Sequence, residues 1–250
     1  MQRPPGARTT VESLRSVRTQ ESSLSFFITL VESSDASRRA IENLPKVHSM
    51  MHKGLTLPEY EAFLHDLYHI VLHFCPIMAV ALARCDERMS RVREDLHARI
   101  AEETGHEKWV LEDVVAIGGD TQRVTATPPS APVQAMIGFN YYAAERVHPC
   151  AVLGMLYVLE VVASVYGGKA ADSIARATGK DVATGGFRFL SSHATMDAEH
   201  MAQLNVLLKT ISDPAAQAAI IESTRVNFHQ FGQLFSAGGF VTHVAHFGRH

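Results

Sequence analysis

Apolar residues recur three and four positions apart along most of this chain, a spacing that places them on one face of an α-helix. Phe26, Phe27, Leu30 and Val31 are an early example. No segment alternates apolar and polar residues as a half-buried strand does, and the sequence contains no Asn-Gly or Asp-Gly hairpin turn. The pattern therefore predicts an all-α protein.

Helix-start and helix-stop residues divide the chain. Thr56, Pro58 and Glu59 match a helix start, because threonine caps the helix, proline fits the first turn and the glutamate completes a capping box. The glycine pairs at 118–119, 167–168 and 185–186 are expected to separate helices. We predict helices over residues 44–51, 58–83, 90–117, 133–147, 149–166, 170–177, 187–211 and 214–235.

The helical pattern indicates a single domain over residues 21–236. Residues 1–20 are rich in Pro, Thr, Ser and Arg and are predicted to be a mobile arm, and residues 237–250 form a tail rich in glycine and histidine. The most apolar window, residues 70–83, is interrupted by His73 and Pro76 and is shorter than the ~20 residues that cross a bilayer. We predict no membrane span.

Charge and cysteine content exclude several classes of protein. A net charge of −3 argues against a nucleic-acid-coating protein, which has a basic excess. The three cysteines lie far apart, so they predict neither a disulfide framework nor a cysteine-rich zinc site, and they fit a cytoplasmic protein. The compositional excess is histidine, with 14 residues.

Two predicted helices carry metal-ligating residues at helical spacing. Glu103 and His106 are three apart on the predicted helix over 90–117, a spacing that presents a carboxylate and an imidazole to one metal, with Glu102 as an alternate carboxylate. His193, Asp197 and His200 form one stripe of a later helix.

Glu160 adds a third helix to this set. It stands in an otherwise apolar segment, and a buried carboxylate requires a metal or a strong donor as its partner. Three carboxylates and three histidines would then converge as ligands for two iron ions, with manganese as an alternative metal. Taken singly, each motif also fits an ordinary polar helix face, and Glu160 also fits a pair with an arginine.

Other residues are candidates for the pocket. His69 is the best candidate for an extra ligand or a proton donor, and Tyr68, His73 and Tyr157 are candidates for substrate binding. A polar seam beside Tyr68 is the simpler explanation of His69 and His73.

Several segments resemble the haem-oxygenase-like superfamily. They are residues 54–60 (GLTLPEY), residues 67–71 (LYHIV) and residues 153–160 (LGMLYVLE). The resemblance covers roughly residues 40–212 and implies a compact bundle of about seven core helices. Haem oxygenases ligate iron through a histidine on the N-terminal helix, and this sequence has no histidine between Arg8 and Lys46.

The metal set is similar to that of the diiron oxidases and oxygenases within this superfamily, which include fatty-acid decarboxylases and N-oxygenases. Residues 101–109 (AEETGHEKW) resemble their Glu and His segment, and Glu160, His193, Asp197 and His200 match the remaining ligands. Some members use a further N-terminal carboxylate, and His69 or Glu61 stands in that region here.

The resulting hypothesis is a diiron enzyme that cycles between Fe(II) and Fe(III) and uses O2 on a small organic substrate. The reaction would be C–H abstraction, oxidative C–C cleavage or decarboxylation, or N-oxygenation, with an external electron donor, and the resemblance implies a homodimer. Two alternatives stay open. One is a metal-free enzyme on the same fold, either a quinone-cofactor-forming oxidase or a thiaminase-like hydrolase with Cys75 or Cys150 as nucleophile. The other is a non-catalytic helical interaction module.

Overall fold

A computed structural model of the protein describes residues 26–236, apart from the side chains at positions 197 and 198. The predicted arm over residues 1–20 and the predicted tail over residues 237–250 lie outside this range. Between residues 26 and 236 every regular element is a helix, and no β-strand occurs there. The prediction of an all-α protein is confirmed.

The described helices follow one another with short connections. In chain order they are α1 (26–42), α2 (Pro45–Lys53), α3 (Leu57–Arg84), α4 (Ser90–Glu103), α5 (Glu107–Ala116), α6 (Thr121–Ala126), α7 (Ala131–Tyr142), α8 (Ala151–Val162), α9 (Gly168–Thr178), α10 (Arg188–Leu208) and α11 (Pro214–Gln233). A 3-10 turn at Glu87–Met89 precedes α4, and π-helical turns at Ala143–Val147 and Ala163–Gly167 follow α7 and α8.

Helix α3 begins where the sequence predicts. The Thr56 side chain accepts a hydrogen bond from the Glu59 backbone N–H, and the Glu59 carboxylate accepts one from the Thr56 backbone N–H at 3.0 Å. This reciprocal pair is the predicted capping box, and it satisfies two backbone donors that the first turn leaves without partners.

The predicted single helix over residues 90–117 is wrong. It divides into α4 and α5 at a turn in which Gly105 has a φ of 97°. Glycine adopts this conformation without steric cost, so the chain can turn here. Glu103 is the last residue of α4 and His106 is the N-cap of α5. The prediction that the two residues share one helical face is therefore wrong as well. They lie on either side of a turn.

The predicted helix end at Gly167–Gly168 is also wrong. Helix α8 continues through the π-helical turn into α9, and Gly168 has helical dihedral angles, with φ −63° and ψ −43°. A Cβ atom on Gly167 would lie 3.2 Å from the carbonyl oxygen of Leu190. Gly167 thus serves close packing against α10 rather than helix termination.

Helix α8 is the central helix of the bundle, and nearly all of its residues are buried. Gly154 lets it approach α11 closely, because a Cβ atom there would lie 2.5 Å from the carbonyl oxygen of Ile220 and 2.8 Å from the backbone nitrogen of Thr224. This packing fixes the helix that carries Glu160, two residues before its last residue, Val162.

Two described helical stretches, Leu57–Arg84 and Ala151–Thr178, are long and apolar enough to cross a membrane by length and composition alone. The core helices of soluble proteins pass the same test, and 61% of the apolar window in the second stretch is buried inside the bundle. These stretches are therefore weak support for a membrane span.

Candidate metal centre

Glu103 and His106 meet at the turn between α4 and α5. His106 Nδ1 lies 2.7 Å from Glu103 Oε2, and both side chains are buried. The two groups are not aligned for a hydrogen bond, and His106 Nδ1 has no hydrogen-bond partner among the described residues. A buried polar atom without a partner costs about 1–3 kcal/mol. A cation between the carboxylate and the imidazole would supply that partner.

His193 approaches the same point from α10. Its Nδ1 lies 3.0 Å from the carbonyl oxygen of Phe189, one turn earlier. Because a carbonyl oxygen only accepts, Nδ1 carries a ring proton, and in the neutral imidazole Nε2 presents a lone pair. His193 Nε2 is 3.7 Å from Glu103 Oε2. Ligand atoms from Glu103, His106 and His193 all lie within 4.8 Å of one another, and we call these three residues the triad.

Asp113, on α5, fixes the start of the helix that carries His193. Its carboxylate accepts hydrogen bonds from the backbone N–H groups of Arg188 at 2.8 Å and Phe189 at 2.9 Å. Gly186, with a φ of 96°, permits this close approach, because a Cβ atom there would lie 2.7 Å from the carbonyl oxygen of Asp113. These contacts hold α10 against α5 with His193 facing Glu103.

Aromatic rings hold both imidazoles of the triad. Trp109 stacks on His106 with the ring centroids 3.9 Å apart, and Phe189 stacks on His193 at 4.0 Å. The guanidinium of Arg188 lies 4.6 Å from the centroid of the Trp109 ring. Packing of this kind restricts rotation of the histidine rings, so the two donor atoms are preorganised.

His200 lies beside the triad, two turns after His193 on α10. Its Nδ1 is 3.9 Å from Glu103 Oε1, and its Nε2 is 3.1 Å from Glu102 Oε1. The Glu102 carboxylate accepts the Nε2 proton, which leaves the Nδ1 lone pair directed toward Glu103. The structure therefore places Glu102, predicted as an alternate ligand, as the hydrogen-bond partner of His200 on the side of the ring away from Glu103. Asp197 also belongs to α10, but its side chain lies outside the described residues.

Glu160 has a partner that the sequence analysis did not single out. Arg99, on α4, donates from Nη1 to Glu160 Oε1 at 2.5 Å and from Nε to Asp95 Oδ2 at 2.7 Å. The buried positions of α4 are Val92, Leu96, Arg99 and Glu103, spaced by four, three and four residues. That spacing is the signal that marks Arg99 as an inward-facing residue.

The charged groups at this point lie at one boundary of an apolar cavity of about 120 Å³. Glu103, Glu160, Arg99, His193 and His200 contribute to its lining. The remaining lining is almost entirely apolar and includes Ile70 and Val71. A small molecule with an apolar body would therefore be held next to the metal-ligating residues.

The other predicted residues lie elsewhere. His69 Nε2 donates to the Thr127 carbonyl oxygen at 3.0 Å, and His73 Nδ1 lies 3.0 Å from the Tyr141 hydroxyl. Tyr68 packs edge-on against His69, and Tyr157 packs edge-on against Phe228. Glu61 pairs with Arg123. Among the described residues, none of these five predicted side chains lines the cavity or belongs to the triad.

Electrostatics favour the ionised form of Glu103. Burial raises the pKa of this carboxyl, but the hydrogen bond and charge of His193, with the charges of His106 and His200, act when these imidazoles are protonated, outweigh burial and lower the pKa below its ordinary value. A divalent ion would take the place of those imidazole protons. Glu103 is thus an anion facing three imidazoles. Two imidazoles and one carboxylate form the donor set typical of non-haem Fe(II) oxygenases, so the triad fits a divalent iron.

The cysteines do not reach this cavity. Cys75 and Cys150 are absent from its described lining. Burial raises the pKa of the Cys75 thiol, and it raises that of Cys150 to about 12. Both therefore stay protonated at neutral pH, whereas the thiolate is the nucleophilic form.

Comparison with protein families gives one match. The model of a family described as iron-containing redox enzyme matches residues 61–228, a range that includes all six predicted ligands. A comparison with curated proteins gives no match.

Solved structures share the fold at low sequence identity. A domain of unknown function with a haem oxygenase-like fold from Shewanella denitrificans OS217 is 19% identical, with a TM-score of 0.72 over 82% of this chain and 87% of that one. A TenA homologue from Pseudomonas syringae pv. tomato is 13% identical, with a TM-score of 0.71 over 83% and 89%. One from P. horikoshii OT3 is 12% identical, with a TM-score of 0.67 over 86% and 99%. The predicted haem-oxygenase-like fold is confirmed.

Proposed function

The chain belongs to the family of iron-containing redox enzymes, and we propose that it is a non-haem iron oxidoreductase that uses O2 on a small organic substrate. The observation that carries this proposal is the triad, in which Glu103, His106 and His193 present ligand atoms within 4.8 Å of one another. Two of the three, Glu103 and His193, also line an apolar cavity. Iron bound there would supply O2 activation, the redox step that protein side chains cannot perform alone.

We propose two iron ions at this centre, with manganese as the alternative metal. The triad would hold the first ion. His200 and Glu160, which also line the cavity, would serve the second together with Asp197. Carboxylates and imidazoles together suit divalent iron or manganese.

The chain's own residues prepare this site for chemistry. The Phe189 carbonyl and the Glu102 carboxylate fix the protonated nitrogens of His193 and His200, so that the other nitrogen of each ring faces Glu103. The apolar walls bind the substrate body and exclude water. The reaction would be C–H abstraction, oxidative C–C cleavage or decarboxylation, or N-oxygenation. We also propose a cytoplasmic homodimer that draws on an external electron donor.

A metal-free enzyme on the same fold is the second candidate, because TenA homologues are among the structural neighbours. A thiaminase-like reaction would need a nucleophilic cysteine at the cavity. The burial and the raised pKa values of Cys75 and Cys150 favour the iron enzyme over this candidate.

Anaerobic metal binding followed by O2 uptake tests the proposed function. Chelator-treated protein is titrated with Fe(II) under anaerobic conditions, the bound iron is measured, and O2 consumption is then followed. Wild type should bind iron and consume O2, whereas Glu103→Gln should do neither. Glu94→Gln is the matched control, because Glu94 is an exposed carboxylate on the same helix. Equal iron binding by Glu103→Gln and wild type would overturn the proposal.

A further inference from the structure

Arg99 is a buried cation inside the candidate metal centre. Its residue exposure is 4%, and it lines the same cavity as Glu103, His193 and His200. Three of its nitrogens have acceptors: Nη1 donates to Glu160 Oε1 at 2.5 Å, Nε to Asp95 Oδ2 at 2.7 Å and Nη2 to the carbonyl oxygen of His200 at 3.3 Å. The guanidinium therefore joins α4 to both α8 and α10.

Two carboxylates compensate the charge of Arg99. Burial lowers its pKa, but Glu160 and Asp95 outweigh burial and raise the pKa above its ordinary value. Arg99 is thus a permanent cation, and a buried cation is retained only when anions compensate it. Glu160 is buried with it, whereas Asp95 lies nearer the surface, with 17% of its side chain exposed.

Arg99 and a second metal ion would compete for the same carboxylate. Glu160 Oε1 is already bound to the guanidinium, and two cations that share one carboxylate repel each other. The triad is different, because the partners of its carboxylate, Glu103, are imidazoles, which can release a proton to bind a metal, whereas a guanidinium cannot. The first ion therefore meets no permanent cation, and the second does.

Resting on the proposed function, we propose that Arg99 is a built-in counter-cation that makes metal loading stepwise. The first ion binds the triad. The second ion binds more weakly, because Arg99 already holds Oε1 of Glu160 and its positive charge repels a second cation at the same carboxylate. Asp95 modulates this step, since it is a second anion that compensates the charge of Arg99.

Two substitutions should change the second binding step in opposite directions. Arg99→Gln removes the competing charge, so the second ion should bind at least about 10-fold more tightly while the first constant changes little. Asp95→Asn leaves Arg99 dependent on Glu160 alone, so the second ion should bind about 10-fold more weakly. Arg99→Lys keeps the positive charge and should resemble wild type. A residue that only supports the fold would not give changes of opposite sign.

The experiment is anaerobic titration of metal-free protein with Fe(II), and separately with Mn(II), followed by calorimetry and metal analysis, with circular dichroism to verify folding. The proposal is supported by two binding phases in wild type whose weaker constant changes in opposite directions in Arg99→Gln and Asp95→Asn. It is also supported if wild type and Asp95→Asn bind one ion and Arg99→Gln binds two. If Arg99→Gln does not fold, the Asp95→Asn result decides. An unchanged second constant in the variants, with normal binding of the first ion, overturns the stepwise mechanism alone. No metal bound to wild type overturns the proposed function as well.

Discussion

Two buried carboxylates, Asp113 and Glu103, lie within one short stretch of the chain and have different surroundings. Asp113 is 2% exposed and accepts hydrogen bonds from two backbone N–H groups at the start of α10. Glu103 is 9% exposed and faces the imidazoles of His106, His193 and His200 instead. Burial alone therefore does not mark a functional carboxylate. The kind of partner does, because backbone N–H groups fix a fold, whereas imidazole lone pairs can accept a metal.

The pKa values of the two carboxyls are shifted in opposite directions. Burial raises the pKa of Asp113, and its two backbone hydrogen bonds only partly offset that increase. At Glu103 the histidines outweigh burial, and the pKa is lowered. The anionic form is thus more strongly favoured at the triad than at the structural site.

The largest expected effect comes from Glu103→Gln. The amide lacks the charge that a divalent ion needs, so iron affinity should fall by more than ~100-fold. That is the largest loss typical of substitutions at residues that only hydrogen-bond to a metal ligand. The free energy of unfolding of the metal-free protein should change little. Anaerobic iron titration together with urea unfolding measures both quantities. Strong destabilisation without loss of metal affinity would place Glu103 with Asp113 as a structural carboxylate.

Asp113→Asn should show the reverse behaviour. Its amide NH2 group would face one of the two backbone N–H groups, so we expect the free energy of unfolding to fall by about 2 kcal/mol. Iron binding should persist at temperatures where the variant is folded. Urea unfolding and iron titration at low temperature test this, and a loss of binding in a folded variant would contradict the division of roles.

Glu102→Ala should have a smaller effect on metal binding. Glu102 accepts the Nε2 proton of His200, and removal of such a partner typically weakens metal affinity by about 10-fold or somewhat more. Glu94→Ala is the matched control on the exposed side of α4. Because His200 is assigned to the second ion, the weaker binding phase should change more than the stronger one in the same titration.

The smallest effect is expected at His69, a buried histidine away from the triad. Burial, followed by the nearby His65, lowers its pKa in the folded protein. The unfolded chain therefore takes up the proton first, and the stabilisation by neutral His69 is lost as the pH falls through the unfolded value of about 6.5. His69→Gln should flatten the decrease in stability between about pH 7 and pH 5. Urea unfolding across this range measures it, and iron affinity should be unchanged.

Residue spacing predicted much of the fold and part of the site. The Thr56–Glu59 capping box is a local interaction, so it could be read directly from the sequence. The turn at Gly105 could not, because one glycine within a helical pattern does not reveal a positive φ. At Gly167–Gly168 the sequence predicted a helix end that does not exist. Gly167 allows close packing against α10, and this contact joins segments that are distant in sequence.

The site shows the same limit. Helical spacing selected Glu103, His106 and His193, and the fold brings them together. Spacing also selected His69, but it could not show that this ring donates to the Thr127 carbonyl oxygen. Arg99 was missed because an arginine four residues from an aspartate resembles an exposed helix pair, and only the tertiary fold places it beside Glu160 on α8.

The most direct test of the account is a crystal structure of the protein soaked anaerobically with Fe(II), with diffraction data collected on both sides of the iron absorption edge. We predict an anomalous peak within about 2.2 Å of ligand atoms of Glu103, His106 and His193, because nitrogen and oxygen ligands bind a divalent ion such as zinc at about 2.0–2.2 Å. Iron bound elsewhere in the bundle, with His106 Nδ1 and Glu103 facing each other without an ion, would contradict it.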